Sequence, residues 1–80
     1  MTLDVLLFAS YADSAGAARV QVSVAEGATI AEVVAAVHAG WPAIRLPARP
    51  LVAVNHRYAE PDLVVSATDE LALIPPVAGG

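Results

Sequence analysis

The sequence contains no cysteine and no lysine. Without cysteine there is no disulfide and no thiolate metal site, and any sulfur this chain handles is not held on a side-chain thiol of its own. Without lysine the chain offers no side-chain amine to accept an isopeptide bond. Abundant alanine with arginine in lysine's place fits a compositional bias equally well, so this second absence decides nothing alone. Histidine is limited to His38 and His56, too few and too separated for a metal cluster, and no metal is expected. Positive charge is also scarce. Arg19, Arg45, Arg49 and Arg57 are scattered against eight acidic residues, giving a net charge of −4 and no basic stripe that a phosphate backbone would require, so no nucleic-acid partner is expected. No apolar run reaches the roughly 18 residues that span a bilayer, and no basic segment followed by an apolar stretch and a small-residue cleavage site opens the chain. A cytoplasmic protein with no membrane partner is the expectation.

What is present is aliphatic. Hydrophobic residues make up 58% and charged residues 15% of 80 residues, which argues against disorder and for one compact domain with apolar surface left for a partner. A domain this small buries only about 60 to 65% of its unfolded surface, leaving little room for an enclosed active site beside a core. Chemistry is therefore carried by the chain rather than housed in it. With one tryptophan, one phenylalanine and two tyrosines, the core must be mostly valine, leucine, isoleucine and alanine.

Leu3, Val5 and Leu7 alternate with Asp4, Leu6 and Phe8, which predicts a first strand from Leu3 to Ala9 with one face inward. Tyr11 to Ala18, with Asp13, Ser14 and Gly16, reads as a loop. Val20, Val22 and Val24 alternate with Arg19, Gln21 and Ser23 in a second strand, antiparallel to the first. Thr29 with Glu32 three residues later matches a capping box. Ile30, Val33, Val34 and Val37 then follow helical spacing, with Gly40 and Pro42 as the stop. His38 sits about 100° around that helix from Val37 and receives no function. From Trp41 to Pro50 three prolines break both periods, so an irregular connection is expected, with Trp41 capping the core. Leu51 to Val54 is the next strand, closed by a turn at Asn55 and His56. Arg57 and Tyr58 begin a short return strand, Leu63 to Val65 form a brief extended segment, Ser66 to Glu70 turn, and Leu71 to Ile74 make the last strand. The order implies an α+β fold, a mixed sheet crossed by one main helix.

The ending is the most distinctive stretch. Pro75, Pro76, Val77, Ala78, Gly79 and Gly80 set two glycines, able to thread a narrow channel, behind a diproline that fixes φ near the extended range. Residues 1–74 are expected to form the folded domain and 75–80 a flexible tail that inserts into another protein's active site, with the α-carboxylate of Gly80 as the reacting group. If Leu71 and Leu73 point inward, Ile74 and Phe8 point outward. Together with Tyr58 they form a candidate partner-binding patch where the tail leaves the domain.

The segments Val5 to Ala9, Gly27 to Glu32, Val52 to Asn55 and above all Asp69 to Gly80 resemble the small subunit of molybdopterin synthase, a sulfur carrier of the ubiquitin-like β-grasp type. The resemblance runs over essentially the whole chain, and its most specific element is Ile74 to Gly80. The chain departs from it at Tyr11, Ala12 and Asp13, in a region where many relatives carry an Arg-Glu pair. The resemblance implies a non-catalytic subunit with no permanently bound cofactor. An ATP-dependent adenylyltransferase of the ubiquitin-activating type would join Gly80 to AMP, a sulfurtransferase would convert the adenylate to a thiocarboxylate, and the sulfur would pass to cyclic pyranopterin monophosphate. That last step would occur in the synthase large subunit, within a heterotetramer.

Alternatives share the fold. A sulfur carrier for thiamine, cysteine or transfer-RNA thiolation would also end in two glycines, although Pro75-Pro76 and the length of 80 residues favour the molybdenum pathway. A ubiquitin-like modifier would attach Gly80 to lysines of other proteins. A plain adaptor would have an inert tail.

Overall fold

Residues 1–76 are described by the computed structural model, in which seven elements follow one another: β1 (Thr2–Leu7), α1 (Ala9–Ala15), β2 (Arg19–Ser23), α2 (Ile30–Gly40), β3 (Leu51–Val54), β4 (Arg57–Tyr58) and β5 (Leu71–Ile74). The strands form one mixed sheet in the order β2-β1-β5-β3-β4. β1 runs antiparallel to β2 and parallel to β5, and β5 runs antiparallel to β3. The two chain-distant strands β1 and β5 therefore lie side by side at the centre.

Period-two alternation decides which face is buried. Leu3, Val5 and Leu7 of β1, Val20 and Val22 of β2, Val52 and Val54 of β3, and Leu71 and Leu73 of β5 all point into one core. Helix α2 covers that face with Ile30, Val33 and Val37, while Val34 is half-buried and His38 is exposed. Its start is held as the sequence predicts: Glu32 N–H donates to Thr29 Oγ1 at 3.4 Å, and Thr29 N–H donates to Glu32 Oε1 at 3.2 Å. The next two amides, Ile30 and Ala31, donate to the carbonyls of Leu63 and Pro61. The extended segment expected at Leu63 to Val65 is thus real but short, a single antiparallel bridge between Thr29 and Val64.

Three expectations need correction. The first strand ends at Leu7, not Ala9, because Phe8 leaves the ladder to become the N-cap of α1. Tyr11 to Ala15 is not loop but most of a second, seven-residue helix, ended by Gly16 at φ +72 in the left-handed conformation. Aspartate, serine and glycine outweighed an alanine-rich segment that places only one large apolar residue, Tyr11, on its inner face. Gly40 does not stop α2 by a left-handed turn. It is the last helical residue, and Trp41 (φ −133, ψ 70) ends the helix while its N–H still reaches the Val37 carbonyl.

The connection from residue 41 to 50 is irregular, as expected, but it is anchored. Ile44 is fully buried, and Trp41 and Leu46 pack against the same core while remaining partly exposed. Tyr11 is also a core residue, 4% exposed, and its hydroxyl is buried without a hydrogen-bond partner among the described residues. Burial pushes the Tyr11 phenol above its ordinary pKa. An unpaired buried hydroxyl destabilises a fold by about 1 to 3 kcal/mol, so Tyr11→Phe is expected to raise stability by about 1 kcal/mol, or roughly 4 °C in Tm. A lower Tm by calorimetry would show that the hydroxyl has a partner in solution.

Candidate docking face and tail exit

The face of the sheet turned away from α2 is half apolar and half polar, and the register explains why. One row crosses all five strands: Arg19 pairs with Leu6, Leu6 with Ala72, Ala72 with Ala53, and Ala53 with Tyr58. Two alanines at its centre make a low floor. Leu6 and Phe8 on one side, Tyr58 on the other, and Ile74 at the end of β5 stand above it as walls. The result is a concavity of about 360 Å³ lined by these six residues with His56 and Glu70. Phe8 is 49% and Tyr58 70% exposed, so two of the chain's four aromatic residues face solvent here rather than filling the core.

Phe8, Tyr58 and Ile74, picked from the sequence as a partner patch, are therefore brought together around one cavity. Tyr58 arrives through the β3–β4 hairpin, whose two-residue turn has positive φ at both Asn55 (+52) and His56 (+71), the type I′ signature. Leu6, Ala53, Ala72, His56 and Glu70 were not singled out in the sequence. Their membership depends on cross-strand register, and the only local hint was the outward phase of Ala72 and Ile74 within Leu-Ala-Leu-Ile.

Asn55 also fastens this hairpin to the start of β5. Its N–H donates to the Glu70 carbonyl at 2.8 Å, Glu70 N–H donates to Asn55 Oδ1 at 2.9 Å, and Asn55 Nδ2 donates to Asp69 Oδ1 at 2.9 Å. The other Asp69 oxygen accepts from Ser66 N–H at 2.8 Å, closing the turn before β5. These bonds, the Ser66 amide first and Asn55 second, hold the Asp69 carboxyl below its usual pKa. A depressed carboxyl pKa contributes stability that is complete above the unfolded value near 3.9 and lost as pH falls through the lower folded value. The Tm difference between the unaltered chain and Asp69→Ala is therefore expected to be largest near neutrality and to shrink as pH falls from about 4 through the lower folded value. A constant difference across that window would rule out the charged cap.

Ile74 is half-buried and is followed by Pro75, half-buried, and Pro76, exposed. β5 thus ends at the wall of the concavity formed by Ile74. The remaining predicted tail residues, Val77, Ala78, Gly79 and Gly80, lie outside the described residues. Among the described residues no group of three His, Asp or Glu side chains is placed to hold a metal ion. None of their helices is long and apolar enough to cross a membrane.

The profile of the ThiS family matches residues 5–80. Among solved structures, small archaeal modifier protein 1 (SAMP1) from Haloferax volcanii superposes with a TM-score of 0.86 at 32% identity, covering 100% of both chains. A Pyrococcus furiosus protein described as molybdopterin converting factor, subunit 1, gives a TM-score of 0.84 at 21% identity over 96% of this chain and 99% of its own. SAMP1 from Methanosarcina acetivorans gives 0.80 at 20% identity over 99% of this chain and 96% of its own. The last two likenesses establish the fold alone.

Proposed function

The chain belongs to the ThiS family of ubiquitin-like β-grasp sulfur carriers and modifiers, and on that premise we propose that it is the sulfur-carrying small subunit of molybdopterin synthase, with Gly80 as the site of the thiocarboxylate. The observation that carries this reading is the double role of Ile74, which ends β5 where the tail begins and also walls an exposed apolar cavity. An enzyme docked over Phe8, Tyr58 and Ile74 lies directly beside Pro75 and Pro76, the start of the proposed tail.

A carboxylate is a poor electrophile and must be activated. A ubiquitin-activating-type adenylyltransferase joins Gly80 to AMP with release of pyrophosphate. A sulfurtransferase persulfide then attacks the acyl carbon and expels AMP. A thiol cleaves the sulfur–sulfur bond of that acyl adduct and leaves the thiocarboxylate. Because this chain has no cysteine, both sulfur nucleophiles belong to partners. The thiocarboxylate sulfur attacks cyclic pyranopterin monophosphate in the large subunit, and water releases Gly80 as a carboxylate, so two loaded chains complete one dithiolene. This chain contributes a docking face and a nucleophile held at high effective concentration.

A second reading, a protein modifier that joins Gly80 to target lysines, is favoured by the 32% identity with SAMP1 of Haloferax volcanii over both full lengths. Mass spectrometry of the chain isolated from its host separates the two. The carrier reading expects an intact chain with one oxygen replaced by sulfur. Branched Gly-Gly remnants on other proteins, with no thiocarboxylate form, would sink it in favour of the modifier.

A further inference from the structure

The docking face changes character along the strands. Ala72 and Ile74 share one side of β5, with Glu70 just before it, and beyond the two ends of the parallel register Val5–Leu71 to Leu7–Leu73, Asp4 and Glu70 line one hollow while Phe8 and Ile74 line another. Phe8 and Ile74, where the tail leaves, form an apolar end. About 13 Å away, four residues back along each strand, Asp4 and Glu70 form an anionic end. These two carboxylates and Asp69 line a second hollow continuous with the apolar one through Leu6 and Glu70, and Arg19 is the one cation lining it. No ion pair between Arg19 and these acids forms among the described residues. Among the described residues Asp4 accepts only from Gln21 Nε2 at 3.0 Å, and Glu70 Oε1 has the exposed His56 Nε2 at 3.4 Å. Like charges on neighbouring strands of one face destabilise a free sheet.

Resting on the carrier reading above, we propose that the Asp4–Glu70 end is the electrostatic half of the docking face, matched to cationic side chains of the enzyme that activates the tail. The occupant follows from where the chain leads. The tail departs from the apolar end of this face, so the enzyme that receives the tail must cover the face. Its surface then meets the two carboxylates as well as Phe8 and Ile74. A guanidinium suits the junction best, because Tyr58, in the middle row of the face, offers aromatic surface between the Glu70 carboxylate and the apolar end. Charge pairing at an interface rim chiefly accelerates association and sets its salt dependence.

The test is ATP–pyrophosphate exchange catalysed by the host's ubiquitin-activating-type adenylyltransferase, with KM and kcat for the full chain measured at low and at high salt. Glu70→Gln and Asp4→Asn are each expected to raise KM by about five- to tenfold at low salt, with kcat within about twofold, and to weaken its salt dependence. Glu70→Arg should raise KM further. In the free chain Glu70→Gln should leave Tm equal or higher, an effect opposite to that of a structural residue. Unchanged KM in both neutral variants, with a raised KM for Phe8→Ala, would overturn the electrostatic half and leave the apolar face standing. Unchanged KM for Phe8→Ala as well would move docking to another surface. Absence of exchange with the unaltered chain would overturn the carrier reading itself and this inference with it.

Discussion

A chain lacking Gly80 is expected to fold normally and to lose sulfur transfer by at least about 10³-fold. The folded domain does not depend on that residue, since the buried core of β5 ends at Leu73, before the prolines. On the proposed reading the chemistry depends on it entirely. Removing one residue shortens the reach of an extended chain by up to about 3.5 Å. A misplacement of about 1 Å already costs roughly 10²-fold where reacting atoms must meet at near-contact distance. The carboxyl group itself survives, on Gly79, so the experiment separates position from chemical identity. Reconstitution of pterin thiolation from the chain, the activating enzyme, a sulfurtransferase and the large subunit reads the result. Product at the unaltered rate would refute the assignment of the tail.

Ile44→Ala is expected to destabilise the domain by about 3 kcal/mol, a large share of the 5 to 15 kcal/mol that a domain has. Ile44 is fully buried and lies in the irregular connection from 41 to 50, where its N–H also donates to the Trp41 carbonyl at 3.0 Å. Removing its side chain leaves a cavity and frees the segment from 41 to 50, which otherwise has only the partly exposed Trp41 and Leu46 as apolar anchors. Chemical denaturation should show the loss as a lower midpoint. A change under about 1 kcal/mol would mean that the connection collapses onto the core and fills the space.

Ile44 also shows where reading along a sequence stops. Alternation revealed β1, β2 and β5, because a half-buried strand repeats every two residues. Thr29, Glu32 and the valines of α2 revealed the helix, because its capping and its apolar stripe are both local. Ile44 is a single anchor in a proline-rich stretch with no period, and nothing nearby announces its burial. Helix α1 escaped for a related reason: one tyrosine among alanines makes no stripe. The signal that was present, Gly16 as a left-handed cap after an alanine-rich run, was outweighed by turn-forming neighbours.

The docking face divides in the same way. Phe8, Tyr58 and Ile74 were legible as outward-facing apolar residues from local pattern and composition, whereas the tail expected at Pro75 to Gly80 lies mostly outside the described residues. That Ala53 and Ala72 form the floor between them, and that Asp4 lies beside Glu70, follows from a parallel pairing of β1 with β5 across more than sixty residues of sequence. The sequence by itself determined the alternating strands, the main helix, the aliphatic core, the absence of thiol chemistry and the glycine ending, since each is written in neighbours a few residues apart. Only the tertiary structure decided the strand order, the shape of the cavity and the placement of its charges. Register between distant strands is settled by which apolar rows can share one core, and no short stretch of chain carries that information.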